Sequence, residues 1–187
     1  MDFFTRSHGH GIPKVVDWGD NVRLIHIDAG RDESLPKLSV FDHLEEFFFG
    51  LESFRLDAGI RYDLAHAHYW LSGCLGLLAG RSWNIPLAIT FHTLGALKNE
   101  LNPATPEPDL RLHWEKKLMR DSDLIVSATE REKRAISALA AGAPARTAVI
   151  PCGVNLDLFR PVDRRTARKK TGLRAEQTVL LYVGRLD

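Results

Sequence analysis

The chain has 187 residues, 44% of them hydrophobic and 26% charged, a composition that can bury enough apolar area to offset its ordering entropy. Lys and Arg number 25 against 24 for Asp and Glu, so a formal charge of +1 offers no net positive field to nucleic acid or anionic lipid. No apolar run approaches the roughly 20 residues of a membrane span, the N-terminus lacks a signal peptide's basic region and long apolar core, and two cysteines, Cys74 and Cys152, suit a reducing cytoplasm rather than a disulfide framework.

Residues 22–27 read as the first apolar strand. Between Phe41 and Phe54 the pattern is helical and very aromatic, with Phe47, Phe48 and Phe49 in succession, which predicts a helix with little solvent-facing surface. Strands are expected at 64–67 and 87–91. The stretch 101–109, with Pro103, Pro106 and Pro108, must be a loop, because proline continues neither a helix nor a central strand. A helix follows, then a strand at 124–127. Thr129 and Glu132 form a capping box that satisfies free N–H groups at the next helix start. Strands at 148–150 and 179–183 bracket a helix capped by Asp163 and ended by Gly172.

Short β-rich runs separated by helices predict βαβ units, and hence an α/β, Rossmann-like parallel sheet with helices on both faces. The length exceeds one typical domain of roughly 100–150 residues and falls short of two. A polar linker, 154–163, divides residues 1–153 from 164–187. The latter is one αβ unit, too small to close a core, and reads as the start of a truncated second domain. An apolar strand at 179–183 with no sheet to join predicts a marginally stable or sticky chain.

In an open parallel sheet, ligands bind beyond the carboxyl ends of the strands, where loops and helix N-termini converge. Those ends carry His66-Ala67-His68-Tyr69-Trp70, Phe91-His92-Thr93, Ala128-Thr129-Glu130, Pro151-Cys152-Gly153 and Gly184-Arg185. His66 and His68 face the same side of a strand and with His92 could hold a metal. No Asp, Glu or Cys stands at a matching ligand spacing, so no metal is expected. His8 and His10 share the spacing but sit in a Gly-rich, solvated loop. A free Cys is more often a small buried hydrophobe than a nucleophile, which counts against Cys74 and Cys152. Tyr69 suits a polar role, since its ring packs while its hydroxyl reaches a ligand. Lys37, Lys98 and Arg111 are ambiguous alone, but Arg111 opens a helix after the Pro-rich loop and could turn inward to grip a phosphate in bidentate fashion.

The motifs HYWLSG at 68–73, FHTLG at 91–95, VIPCGVNLDLF at 149–159 and YVGRL at 182–186 resemble family-4 glycosyltransferases, in order and at compatible spacing over nearly the whole chain. The resemblance implies the GT-B architecture, in which two Rossmann-like domains face a cleft, with the acceptor held by the N-terminal one and the nucleotide by the other. It implies sugar transfer from a nucleotide donor with retention at the anomeric carbon. Within the family the wording is most similar to inositol-phosphate N-acetylglucosaminyltransferases, with sucrose-phosphate synthases next. By that resemblance Lys37, Tyr69, Thr93 and Arg111 grip an acceptor phosphate, His92 is the active-site histidine beside the donor sugar, and Arg185 faces the donor diphosphate. Lys98 is left open between that pocket and solvent.

The same resemblance implies a small-molecule acceptor, a nucleotide-sugar donor (a UDP-sugar foremost), no cofactor, no nucleic acid, no integral membrane segment and a cytoplasmic location; a homodimer is open for the complete enzyme. Phe3-Phe4-Thr5-Arg6 is similar to the family's second strand, so the first βα unit and its Gly-Gly loop are expected to be absent. The donor-side Glu-x7-Glu pair and a Lys after Arg185 would fall beyond Asp187. Glu107 and Glu115 show that spacing by chance. The chain alone is therefore expected to be inactive. The alternatives are a sucrose-phosphate-synthase-like enzyme, a polysaccharide- or lipid-directed transferase, and a non-catalytic sugar-phosphate-binding module.

Overall fold

Strand-forming runs of three to six residues pair into two sheets in the computed structural model, which describes residues 1–9, 11–30 and 34–184. The first sheet contains β1 (Asp2–Arg6), β2 (Val15–Gly19) and β3 (Val22–Ile27) in the order β1-β3-β2. β1 runs parallel to β3, with Phe4 opposite Ile25, while β2 returns antiparallel. Asp20 and Asn21 join β2 to β3 with φ of 50° and 61°, the left-handed pair that a tight hairpin of right-twisted strands requires. β2 lies outside the strands expected from the sequence. Its five residues, VVDWG, are mostly exposed and carry a register irregularity between Asp17 and Gly19, so apolar alternation is broken.

The second sheet is parallel throughout: β4 (Ala65–His68), β5 (Leu87–Thr90), β6 (Leu124–Ser127) and β7 (Thr147–Val149), side by side in chain order. All four residues of β5 are buried. Successive side chains point to opposite faces, so both faces of this sheet are covered. The covering elements of Met1–Pro151 are α1 (Leu44–Asp57), α2 (Tyr69–Trp83), α3 (Gly95–Leu101), α4 (Asp109–Asp121) and α5 (Glu130–Leu139). α2 comes close to the sheet through its glycines. A Cβ at Gly73 would stand 2.7 Å from Ile89 Cδ1, and one at Gly76 2.5 Å from Leu87 Cδ1. The main core gathers Trp70, Leu77, Ile89, Phe91, Leu118 and Ile125, and a second cluster joins Ile25 and Ile27 to Phe47, Leu51 and Phe54 of α1.

The capping box forms. Thr129 Oγ1 accepts the Glu132 N–H at 3.1 Å, and the Glu132 carboxylate accepts the N–H of Ala128 at 2.9 Å, one residue before the cap. The aromatic helix departs from expectation: Phe47 is buried, but Phe49 is 63% exposed, because α1 turns only one stripe to the core.

The chain divides into two compact units, Met1–Pro151 and Cys152–Asp187. In the second, α6 (Arg164–Thr171) starts where Asp163 Oδ2 accepts the Thr166 N–H at 2.9 Å and stops at Gly172, whose φ is 70°. The strand expected at 179–183 does not form. Its side chains are between 47% and 99% exposed, since an extended segment becomes a strand only by pairing its backbone and no neighbouring strand stands beside it among the described residues.

The burial pattern of α4 separates two leucines on one helix. Leu118 is fully buried and Leu110 is 39% exposed. Leu118→Ala is expected to lower unfolding stability by about 2–5 kcal/mol, and Leu110→Ala to stay within roughly 0.5 kcal/mol of the parent. Equilibrium urea denaturation of the two variants measures both.

Candidate functional site

Parallel register places the polar residues next to one another. His68 pairs with Thr90 across β4 and β5, so the residues that follow each strand emerge together at one end of the sheet. Both chains turn sharply there. Tyr69 has φ of 77° and His92 a φ of 61°, left-handed values that cost a non-glycine residue of order 1–3 kcal/mol and persist only where surrounding structure enforces them.

The imidazoles line up. His66 Nε2 shares a hydrogen bond with Thr90 Oγ1 at 3.0 Å, the rings of His66 and His68 are 4.4 Å apart, and His68 Nδ1 meets His92 Nε2 at 2.8 Å. Burial pulls both His66 and His68 below the usual histidine value, and the neighbouring imidazoles add to the effect. Among the described residues no three His, Cys, Asp or Glu side chains are grouped as metal ligands. Cys74 is buried, and burial pushes its thiol up to about 12, which makes it a packing residue rather than a nucleophile.

Arg111 turns inward from the first turn of α4 and is 2% exposed. Its Nε donates to Glu115 Oε1 at 2.7 Å and one terminal nitrogen lies 2.9 Å from Glu107 Oε2. The other donates to both the carbonyl and the hydroxyl of Thr93, at 2.9 and 3.0 Å. The guanidinium carbon stands 5.0 Å from the centre of the Tyr69 ring. Glu115 also accepts the Gly95 N–H at 2.8 Å, tying the start of α3 to α4. Burial raises the Glu115 carboxyl above the usual carboxylate range despite its arginine partner, whereas a hydrogen bond from Lys98 holds that of Glu107 below it.

Three of the four residues expected to grip a phosphate, Tyr69, Thr93 and Arg111, therefore form one contact group. Lys37 does not join them through any hydrogen bond or ion pair in the structure; it is exposed, on the segment leading to a 3-10 turn at Ser39–His43. That segment is anchored nearby, because Phe41 stacks on Trp70 with ring centres 5.8 Å apart. Arg185 lies outside the described residues. The Glu107 and Glu115 spacing has a structural consequence that sequence reasoning missed: each stands four residues from Arg111, on opposite sides, and both carboxylates reach it. Four-residue separation across a helix start was the available signal.

A polar cluster at the carboxyl end of a covered parallel sheet stands where such folds bind ligands, and the fold is shared with GT-B glycosyltransferases. Sucrose-phosphate synthase from Thermosynechococcus elongatus shares the fold with a TM-score of 0.84 and 31% identity, over 100% of this chain and 46% of that one. The D-inositol 3-phosphate glycosyltransferase of Nocardiopsis dassonvillei is 37% identical over 190 residues, covering 100% of this chain and 44% of its own length. That of Mycobacterium bovis is 38% identical, with 40% of its length covered. The profile of Glycosyltransferase Family 4 matches residues 2–158, and the chain belongs to that family. It spans less than half the length of these relatives.

Two consequences of this geometry can be measured. Glu115→Ala leaves a buried guanidinium and the Gly95 N–H short of a partner, and is expected to cost about 3–5 kcal/mol in a denaturant titration; Asp121→Ala, which breaks the more exposed Lys117–Asp121 pair, should cost less than about 1 kcal/mol. For the histidine row, the unfolded chain takes up protons near pH 6.5 that the native His66 and His68 refuse. Their contribution is present above that pH and declines as the pH falls below it. The denaturation midpoint of His68→Gln should therefore drop less than the parent's between about pH 7.5 and 5.5.

Proposed function

We propose that this chain forms the acceptor-binding part of a retaining glycosyltransferase that moves a sugar from a nucleotide donor, a UDP-sugar foremost, to a phosphorylated polyol or sugar of the inositol-phosphate type. The observation that carries this is Arg111: a buried guanidinium held against Thr93 and Tyr69 at the carboxyl end of the sheet. A phosphate dianion is best held by charge-assisted bonds from arginine and lysine together with hydroxyl donors, and Arg111, Lys37, Thr93 and Tyr69 are that set. Lys37 completes it by swinging in from an exposed position. The names and identities of the inositol-phosphate relatives support the acceptor class.

In this scheme the phosphate grip fixes the acceptor so that its hydroxyl meets the donor's anomeric carbon, converting a bimolecular encounter into a positioned one. His92 stands beside the donor sugar, steadied by His68. Arg185 neutralises charge that develops on the leaving diphosphate, an interaction stronger in the transition state than in the ground state. Residues 1–153 form the acceptor-side domain, 154–163 the linker and 164–187 the start of the nucleotide-binding domain. The enzyme would be cytoplasmic, with a dimer open for its complete form. A second reading, a sucrose-phosphate-synthase-like transferase, is favoured by the 0.84 structural match and keeps the same phosphate grip.

Titrating the 187-residue protein with inositol phosphate and with free inositol, followed by chemical-shift changes, tests the proposal. Inositol phosphate should bind more tightly, and Lys37→Ala should weaken it by about tenfold or more, the loss expected for one charged hydrogen bond. Equal affinity for the two ligands would overturn the phosphate grip.

A further inference from the structure

The polar residues around Arg111 fall into a permanent and an exchangeable half. Glu115 lies on α4 with its side chain 3% exposed, and its second oxygen is taken by the Gly95 N–H. Glu107 lies in the loop between α3 and α4, where Pro103, Pro106 and Pro108 preclude regular structure, and its side chain is 18% exposed. Its carboxylate bridges two cations: one oxygen faces Arg111 at 2.9 Å, and the other accepts a hydrogen bond from Lys98 Nζ. Its backbone N–H is held by Asn99 Oδ1 at 2.7 Å, so the loop presents the carboxylate to both at once.

Two cations and two carboxylates make this group electrically neutral. A phosphate dianion that approached Arg111 with both carboxylates in place would meet as much repulsion as attraction, in surroundings where burial weakens screening. Withdrawal of Glu107 alone reverses the balance. It uncovers one terminal nitrogen of Arg111 and the whole Lys98 ammonium, while Glu115 continues to support the buried guanidinium. A carboxylate and a phosphate both present anionic oxygens to such donors, so one can take the other's place without rebuilding the group.

We propose that Glu107 is an internal stand-in for the ligand's phosphate. It bridges Lys98 and Arg111 in the arrangement seen here and is exchanged for the anionic oxygens of an incoming phosphate ester, and Lys98 then becomes a further phosphate contact. The exchange presupposes the phosphate-binding role proposed above for Arg111. A neutral polyol uses neither cation that Glu107 holds, so Glu107 weakens every anion by a fixed factor and leaves the binding of an unphosphorylated compound unchanged.

The test uses the 187-residue protein, with inositol phosphate, inorganic phosphate and free inositol as probes in calorimetric titrations. Glu107→Gln keeps the shape and removes the competing charge, and should tighten both phosphate probes by about tenfold while leaving free inositol unchanged. Adding Lys98→Met to Glu107→Gln should abolish most of that gain. Asn99→Ala, which frees the loop without altering any charge, should shift both phosphate probes in the same direction and serves if Glu107→Gln does not fold. If the parent prefers inositol phosphate over inositol but neither Glu107→Gln nor Asn99→Ala binds it more tightly, the stand-in role is wrong and the phosphate grip survives. If no phosphate probe binds the parent or the variants, both proposals fall together.

Discussion

The buried guanidinium of Arg111 is the contact on which the ordered end of this domain depends. It reaches α4 through Glu115, the following loop of β5 through Thr93, and the segment before α4 through Glu107. Glu115 then extends the connection to the first N–H of α3. Burying a charge is tolerable only when it is paired and its hydrogen-bonding capacity is used, and here every nitrogen of the guanidinium has a partner. An apolar side chain at this position could fill the volume but could not tie two helix starts and a strand end to one point.

Around that point the fold supplies a second constraint, the parallel alignment of β4 and β5. Because His68 and Thr90 are partners in register, the two exits from the sheet lie side by side, and both turn through left-handed backbone, at Tyr69 and at His92. Strain of this kind collects where geometry is held for a purpose rather than relaxed. The fully buried β5 and the close seating of α2 over its glycines give the rigid floor on which the exits are set. Family membership, the GT-B fold and the similarity to inositol-phosphate glycosyltransferases are what make this residue cluster the proposed place for an acceptor phosphate.

Much of this was legible along the chain because it is local. The strands at β3 to β7, the capping box at Thr129 and the Asp163 and Gly172 helix limits each depend on a few adjacent residues and on periodicity. Errors arose where a remote partner decides. β2 is a strand only because β3 lies beside it, despite an unpromising sequence, and 179–183 is an attractive strand sequence that forms none because nothing pairs with it. The exposed Phe49 in α1 has the same origin: aromatic content says that burial is favourable, not which face will receive it.

The candidate site divides along the same line. His92, Tyr69, Thr93 and Arg111 could be named from the sequence, by their places at strand ends and a helix start together with the family resemblance. Their grouping could not, nor could the separation of Lys37 from it, because both depend on segments brought together over tens of residues. The spacing of Glu107 and Glu115 matches the family's donor-side pair by chance, and only the folded chain shows that they close on one arginine from opposite sides. Sequence by itself determined the α/β class, the strand-end residues and the family; tertiary structure decided which charges meet. The reason is physical: propensity and periodicity act between neighbours along the chain, while ion pairing in a buried site depends on distance and dielectric, which exist only once the chain has folded.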